Sequence, residues 1–296
     1  MSWKVVARKD FQDAIRSWWL WGLSILFVML FTLPALLRFY VGWGEDPMVA
    51  DGTVAIYIFI MKEPLSLLVP VIAIVVSYSS ITKEHTSGTM KLLLSLPHAR
   101  WEVVLGKVVG RSAVMVAPIL LGFLISFLVI LPAASSFALQ SYLTFTLLTA
   151  MLGVVFVAIS VSISAVATSD RRAMVGVVGV YLFAVFFWNQ FADAIADGAH
   201  EYAGVDTGTR YLIELFVKVL NPVEAYKTLV DAIVMGTVEA RQQAFGFFIF
   251  PDPEAIEALG ETVPGYVADP AIVGYMLVWL ALSVAFGIAV FRDRDL

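Results

Sequence analysis

Few residues in this chain can do chemistry, and their spacing fits no reaction. None of the 296 residues is cysteine, which excludes disulfides, thiol nucleophiles and thiolate metal sites. The three histidines, His85, His98 and His200, fall on two faces of the topology derived below, too far apart to share a metal ion. No H-E-x-x-H or G-x-S-x-G pattern occurs. A phosphate-binding G-x-x-x-x-G-K-[ST] loop ending on Gly106-Lys107 would need glycine where Trp101 stands and Ser or Thr where Val108 stands. What remains is uncharged: the hydroxyls of Ser160, Ser162 and Ser164, and the amides of Asn189 and Gln190. Ser160 and Ser164 lie one turn apart and, with Asn189 and Gln190, are candidates for lining a pathway. Small hydroxyl residues also serve close helix packing, and both readings stay open. Such a set performs no covalent step and binds no cofactor, so the chain reads as a non-enzyme. If it moves something, the energy comes from a partner.

Composition dictates the elements that hold these residues. Apolar residues make up 60% of the chain and charged ones 15%, with a mean hydropathy of +0.87. A soluble domain carries roughly 25% charged residues, and a water-soluble fold of this size could not hide so much apolar surface. A spanning helix needs ~20 mostly apolar residues, because lipid offers the backbone no hydrogen-bond partner. Six stretches qualify: Ser17 to Leu37, Pro64 to Thr82, Ser112 to Leu131, Leu139 to Thr168, Ala173 to Phe191 and Pro270 to Phe291. None contains Asp, Glu, Lys or Arg. The fold class that follows is an all-α integral membrane protein, a single transmembrane domain over residues 1–296.

The first span follows Lys4, Arg8, Lys9 and Arg16 but has no small-x-small cleavage site, so it reads as an uncleaved anchor. Trp3, Val6, Phe11 and Ile15 alternate with those basic positions, which suits a short helix in the membrane interface. Of the 19 basic residues, 13 fall on the side that holds both termini, and 17 of the 24 acidic ones fall on the other. The positive-inside rule therefore places both termini in the cytoplasm. The largest outer loop, 192–269, repeats apolar residues at helical spacing through Leu212, Leu215, Phe216, Val219 and Leu220. Asn221-Pro222 breaks the repeat, and Tyr226, Leu229, Val230, Ile233 and Val234 resume it. Glu214, Lys218, Glu224, Lys227 and Asp231 argue against another span. Two amphipathic helices lying on or dipping into the outer surface, or the helices of a small external domain, are the two readings.

The loop Lys83 to Lys107 reads K-E-H-T-S-G-T-M-K-L-L-L-S-L-P-H-A-R-W-E-V-V-L-G-K. Gly88 permits a turn, Met90 to Leu96 can form a short apolar helix face, and Pro97 stops it. An apolar face flanked by charge on a cytoplasmic loop suits docking into a groove of a soluble partner. Gly106-x-x-x-Gly110 also has the spacing of a helix contact. The pattern formed by Glu84, Gly88, Thr89, Leu92, Leu93, Pro97, Arg100, Gly106 and Lys107 resembles the ABC-2 type permease family, the membrane subunits of one class of ATP-binding-cassette transporters. Six spans, an N-terminal interfacial helix and an Asn-Pro-x-x-x-Tyr element (Asn221, Pro222, Tyr226) extend the resemblance along most of the chain. Within the family it is most similar to the NosY-like permeases, which assist maturation of a copper enzyme that reduces nitrous oxide.

The resemblance implies a multi-pass permease of the cell membrane, acting in export. Those nine residues would then form the coupling loop that docks on a separate ATPase subunit, present in two copies and carrying the ATP and Mg. A second permease copy, or a related permease, completes the expected assembly in the lipid bilayer, and nucleic acid has no part in it. The competing expectation is a non-transporting scaffold or maturation factor for an extracellular metalloenzyme, working through loop 192–269.

Overall fold

A computed structural model describes residues 3–16, 18–42, 54–82, 100–134, 137–245, 253–260 and 263–292, and every regular element among them is helical. A short helix, α1 (Trp3–Ile15), leads into α2 (Trp18–Tyr40). Then come α3 (Val54–Ser77), α4 (Arg100–Ile130) and α5 (Leu139–Val166). The next helix is continuous from Asp170 to Ala203 but interrupted by a π turn at Phe183–Phe187, giving α6 (Asp170–Leu182) and α7 (Trp188–Ala203). Four short helices follow: α8 (Thr207–Leu220), α9 (Pro222–Met235), α10 (Thr237–Gln243) and α11 (Pro253–Leu259). The last element is α12 (Asp269–Arg292).

Six of these, α2, α3, α4, α5, α6–α7 and α12, are long and apolar enough to cross a membrane. Six crossings return the chain to the face it started from, called here the terminal face. Several helices run beyond the apolar stretches seen in the sequence. The second starts at Val54 rather than Pro64 and takes in Lys62 and Glu63, and the third starts at Arg100 rather than Ser112 and takes in Lys107 and Arg111. Hydropathy marks only the part of a helix that meets lipid, whereas backbone hydrogen bonding continues as far as neighbours support it.

The bundle is built around α5, whose apolar window is 78% buried, against 17% for α2, α6–α7 and α12. Without a hydrophobic drive between helices in lipid, close approach at small residues supplies the packing. Gly153 of α5 meets Met115 of α4 and Val69 of α3, Gly122 of α4 receives Phe27 and Phe31 of α2, and Gly287 of α12 lies against Ser162. Some buried hydroxyls are paired across helices. The Tyr57 hydroxyl donates to the Phe31 carbonyl at 3.0 Å, and that of Tyr142 to the Phe123 carbonyl at 2.7 Å.

Candidate functional site

Of the nine coupling-loop residues, Glu84, Gly88, Thr89, Leu92, Leu93 and Pro97 lie outside the described residues, and Arg100 opens α4. Gly106 and Lys107 sit in the early turns of α4, against α1. A Cβ on Gly106 would stand 2.6 Å from Val6 Cβ and 2.8 Å from the Trp3 carbonyl oxygen, and one on Gly110 would stand 2.9 Å from Asp10 Cβ. The Gly106-x-x-x-Gly110 spacing is thus a helix contact, and it is where α1 packs on α4. Asp10, buried in that contact, accepts from Lys107 Nζ at 3.0 Å. Its second oxygen lies 2.7 Å from Arg111 Nε, off the hydrogen-bonding axis, so this is a charge contact. Arg111 Nη1 also donates to the Val76 carbonyl at 2.9 Å, near the C-terminus of α3 where the helix dipole favours a cation. One carboxylate and two cations therefore fasten α1, α4 and α3 together at the terminal face. The sequence did hold a signal for this clamp: Asp10 lies on the stripe of Trp3, Val6 and Ala7, and Lys107 and Arg111 are one turn apart beside the two glycines.

At the opposite face α8 and α9 form a helical hairpin that dips into the bundle. This favours the dipping reading over an external domain. Asp206 caps α8 through the Thr209 backbone N–H at 3.0 Å, and hydrogen bonds from the Thr209 hydroxyl and N–H hold the Asp206 carboxyl below the usual carboxylate range. At the tip, Asn221 Oδ1 accepts from the Val223 N–H at 2.9 Å, capping α9 with Pro222 in its first position. Asn221 Nδ2 donates to the Ala184 carbonyl at 2.6 Å, inside the π turn, which loosens the regular helical ladder there. Two indoles satisfy the end carbonyls of α8: Trp279 Nε1 donates to Leu220 at 2.6 Å and Trp188 Nε1 to Val217 at 2.8 Å. Trp279 lies roughly 15 Å along α12 from its start, well within the span.

The returning helix, α9, packs on α3, α5 and α12. Tyr226 is fully buried, its hydroxyl 3.2 Å from that of Thr149 on α5. Lys62 of α3 donates to both oxygens of Asp231, at 2.7 and 2.9 Å, with both side chains less than a tenth exposed. Glu63, 57% exposed, lies 3.8 Å from Lys62 and 3.8 Å from Lys227, while Lys227 pairs with Glu224 at 2.9 Å. The six apolar stretches themselves contain no Asp, Glu, Lys or Arg. Lys62 escaped because it lies two residues before the apolar stretch and its partner is 169 residues away. Further out, Arg210 bridges Asp193 and Asp197 at 2.7 Å each and Glu214 at 3.3 Å, holding α7 to α8.

The four candidate pathway residues are not brought together. Ser160 is buried and donates to the Phe156 carbonyl at 2.6 Å within its own helix. Ser164 is buried and accepts the Ile81 and Thr82 backbone N–H groups at 3.1 and 3.3 Å, where α3 ends. Between them, Ser162 donates to the Ser283 carbonyl of α12 at 2.6 Å. Asn189 and Gln190 lie near the other end of their span and are exposed, with Asn189 Nδ2 3.5 Å from Glu224. Among the described residues no group of His, Asp or Glu could hold a metal ion.

The family model described as ABC-2 family transporter protein matches residues 4–296. A protein of Stutzerimonas stutzeri named probable ABC transporter permease protein NosY is 25% identical over 297 residues, covering 98% of this chain and 97% of that protein. One of the same name from Pseudomonas aeruginosa is 27% identical over 188 residues, covering 62% of this chain and 67% of its own length.

Proposed function

This chain belongs to the ABC-2 family of transporter proteins, and from that premise we propose that it works in export, driven by a separate ATPase subunit docked on loop 83–107. It is a multi-pass permease subunit of an ABC transporter. On the proposed reading the terminal face, which carries most of the basic residues, is cytoplasmic. Two permease chains, identical or related, work with two ATPase copies that hold the ATP and Mg. The observation that carries this reading is the clamp of Asp10 with Lys107 and Arg111. The proposed docking loop runs directly into α4, and α4 is fastened at that end to α1 and α3. A displacement of the loop would therefore be passed to two spans and the N-terminal helix at once rather than absorbed by a single flexible helix.

Reconstitution with candidate ATPases tests it. The chain alone should hydrolyse no ATP. Glu84→Ala, Gly88→Leu and Arg100→Ala should each reduce ATPase co-purification or its stimulation while membrane insertion is unchanged. Normal recruitment and normal substrate-stimulated turnover in all three would sink the coupling role.

A further inference from the structure

Cations are neutralised differently in different parts of the molecule. At the face opposite the termini, Lys62, Arg210, Lys218, Lys227 and Arg241 each meet a carboxylate of this chain at 2.6 to 2.9 Å. At the terminal face Lys107 and Arg111 share Asp10. The cations of α1 break this rule. Lys4, Arg8 and Lys9 on the helix, and Arg16 just past its end, are exposed and form no ion pair among the described residues. Lys4 lies over the Trp3 ring, at 5.8 Å. Asp13 stands four residues after Lys9 and three before Arg16, spacings that allow a pair on a helix, yet neither contact closes.

Helical spacing collects these charges. Lys4, Arg8, Gln12 and Arg16 recur every four residues and form a stripe roughly 18 Å long, with Lys9 beside it. The stripe turns away from Val6, Ala7 and Asp10, which are buried against Gly106 and Gly110 of α4. Val5 and Ile15 flank it, 46% and 41% exposed. α1 leads straight into α2, where Trp18 and Trp21 are 90% and 61% exposed, one turn apart at the start of the span. Indoles so placed mark the level where acyl chains give way to headgroups, which puts the stripe at the depth of the lipid phosphates. A face that offers cations beside half-exposed aliphatic groups suits an amphiphile. Phosphate oxygens accept from the ammonium and guanidinium groups while Val5 and Ile15 reach the upper acyl carbons. A soluble acidic partner would match the charges and leave those aliphatic groups and Trp18 uncovered.

We propose that the exposed face of α1 binds the phosphate groups of anionic phospholipids in the leaflet at the terminal face, and that bound lipid holds α1 against the start of α4, where loop 83–107 enters the bundle. Charge selects the lipid class. Four cations against one acid, Asp13, leave this face at +3. A zwitterionic headgroup brings its own ammonium to such a face, whereas a headgroup of net negative charge does not. The lipid site stands by itself; its effect on coupling rests on the permease reading above.

The absence of native cysteine allows a single reporter thiol. Gln12→Cys labelled with bimane puts a fluorophore inside the stripe without removing a charge. The labelled full chain is placed in phosphatidylcholine nanodiscs that carry a small share of nitroxide-labelled phosphatidylglycerol or, for comparison, of nitroxide-labelled phosphatidylcholine. Quenching by phosphatidylglycerol should be about tenfold more effective per lipid, and the preference should shrink severalfold between low salt and ~1 M salt. Lys4→Gln, Arg8→Gln, Lys9→Gln and Arg16→Gln combined should abolish the preference and leave the melting temperature in phosphatidylcholine unchanged. Equal quenching by the two lipids overturns the lipid site, as does a preference that survives in the combined variant. Should that variant fail to insert, the salt titration with the native stripe decides alone, and a preference insensitive to salt overturns the site. Inorganic phosphate that displaces phosphatidylglycerol at matched ionic strength would assign the stripe to a free anion, and an ATPase subunit that displaces it would assign the stripe to that partner; either overturns the site. In the ATPase-bound complex, phosphatidylglycerol should raise ATP turnover several-fold with the native stripe and not with the combined variant. An equal response of the two overturns the effect on coupling. Failure of the permease reading shows instead as absent ATPase co-purification and leaves the quenching comparison intact.

Discussion

Two buried aspartates, Asp10 at the terminal face and Asp231 at the opposite one, are each paired with a lysine from a neighbouring spanning helix, yet they fasten the molecule differently. Asp10 sits where glycines let two helices touch, and it faces two cations, one of which also holds a carbonyl of a third helix. Removing the carboxylate there leaves positive charges packed against each other. Asp231 is hydrogen-bonded to a single cation, Lys62, which has Glu63 next to it, while Lys227 lies one turn away on the helix of Asp231 itself. The difference teaches that burial of an ion pair does not by itself say whether the contact is permanent. What decides it is where each charge goes when the pair is broken.

The largest effect should separate the two pairs directly. Asp10→Ala should destabilise the folded chain by about 3 kcal/mol, because it removes the acid shared by Lys107 and Arg111, and Asp231→Ala by roughly 2 kcal/mol, because Lys62 keeps Glu63 at 3.8 Å. Thermal unfolding in detergent measures both, and equal losses would erase the distinction. Next, Gly106→Ala should cost about 2 kcal/mol, since the new methyl meets a backbone oxygen and Val6 at under 3 Å and α1 must shift. Gly179→Ala, with open space around it, should be neutral or mildly stabilising, and serves as the control. Asn221→Ala should cost about 1.5 kcal/mol by removing both the α9 cap and the bond to Ala184. It should also loosen the hairpin tip, seen as faster amide exchange in α8 and α9 with no change in α1. Smallest, Tyr226→Phe should cost roughly 0.5 kcal/mol, because it removes a single hydroxyl contact while Thr149 keeps its bond to the Phe145 carbonyl. A large loss there would mean that the hydroxyl pair, and not Lys62–Asp231, holds α9.

The six spans, the charge asymmetry between faces and the family pattern in loop 83–107 were all written in consecutive residues. They depend on the solvent each stretch can tolerate, and that is a property of composition within a window. The Gly106-x-x-x-Gly110 contact was readable as a contact, but not its partner, since two glycines announce a close approach without saying which helix makes it. The amphipathic pattern of α8 and α9 was equally plain, and equally silent on whether their apolar faces met lipid, an external core or the spans themselves. Lys62 read as a loop residue at the edge of an apolar run because its neutralising partner is far away in sequence, and no local average registers a charge that is paired only after folding. Sequence by itself therefore determined that this protein crosses a membrane six times and resembles a permease. Tertiary packing decided that α9 is buried among the spans and that Lys62 meets Asp231, because such pairings follow from which surfaces fit together and not from the residues beside them.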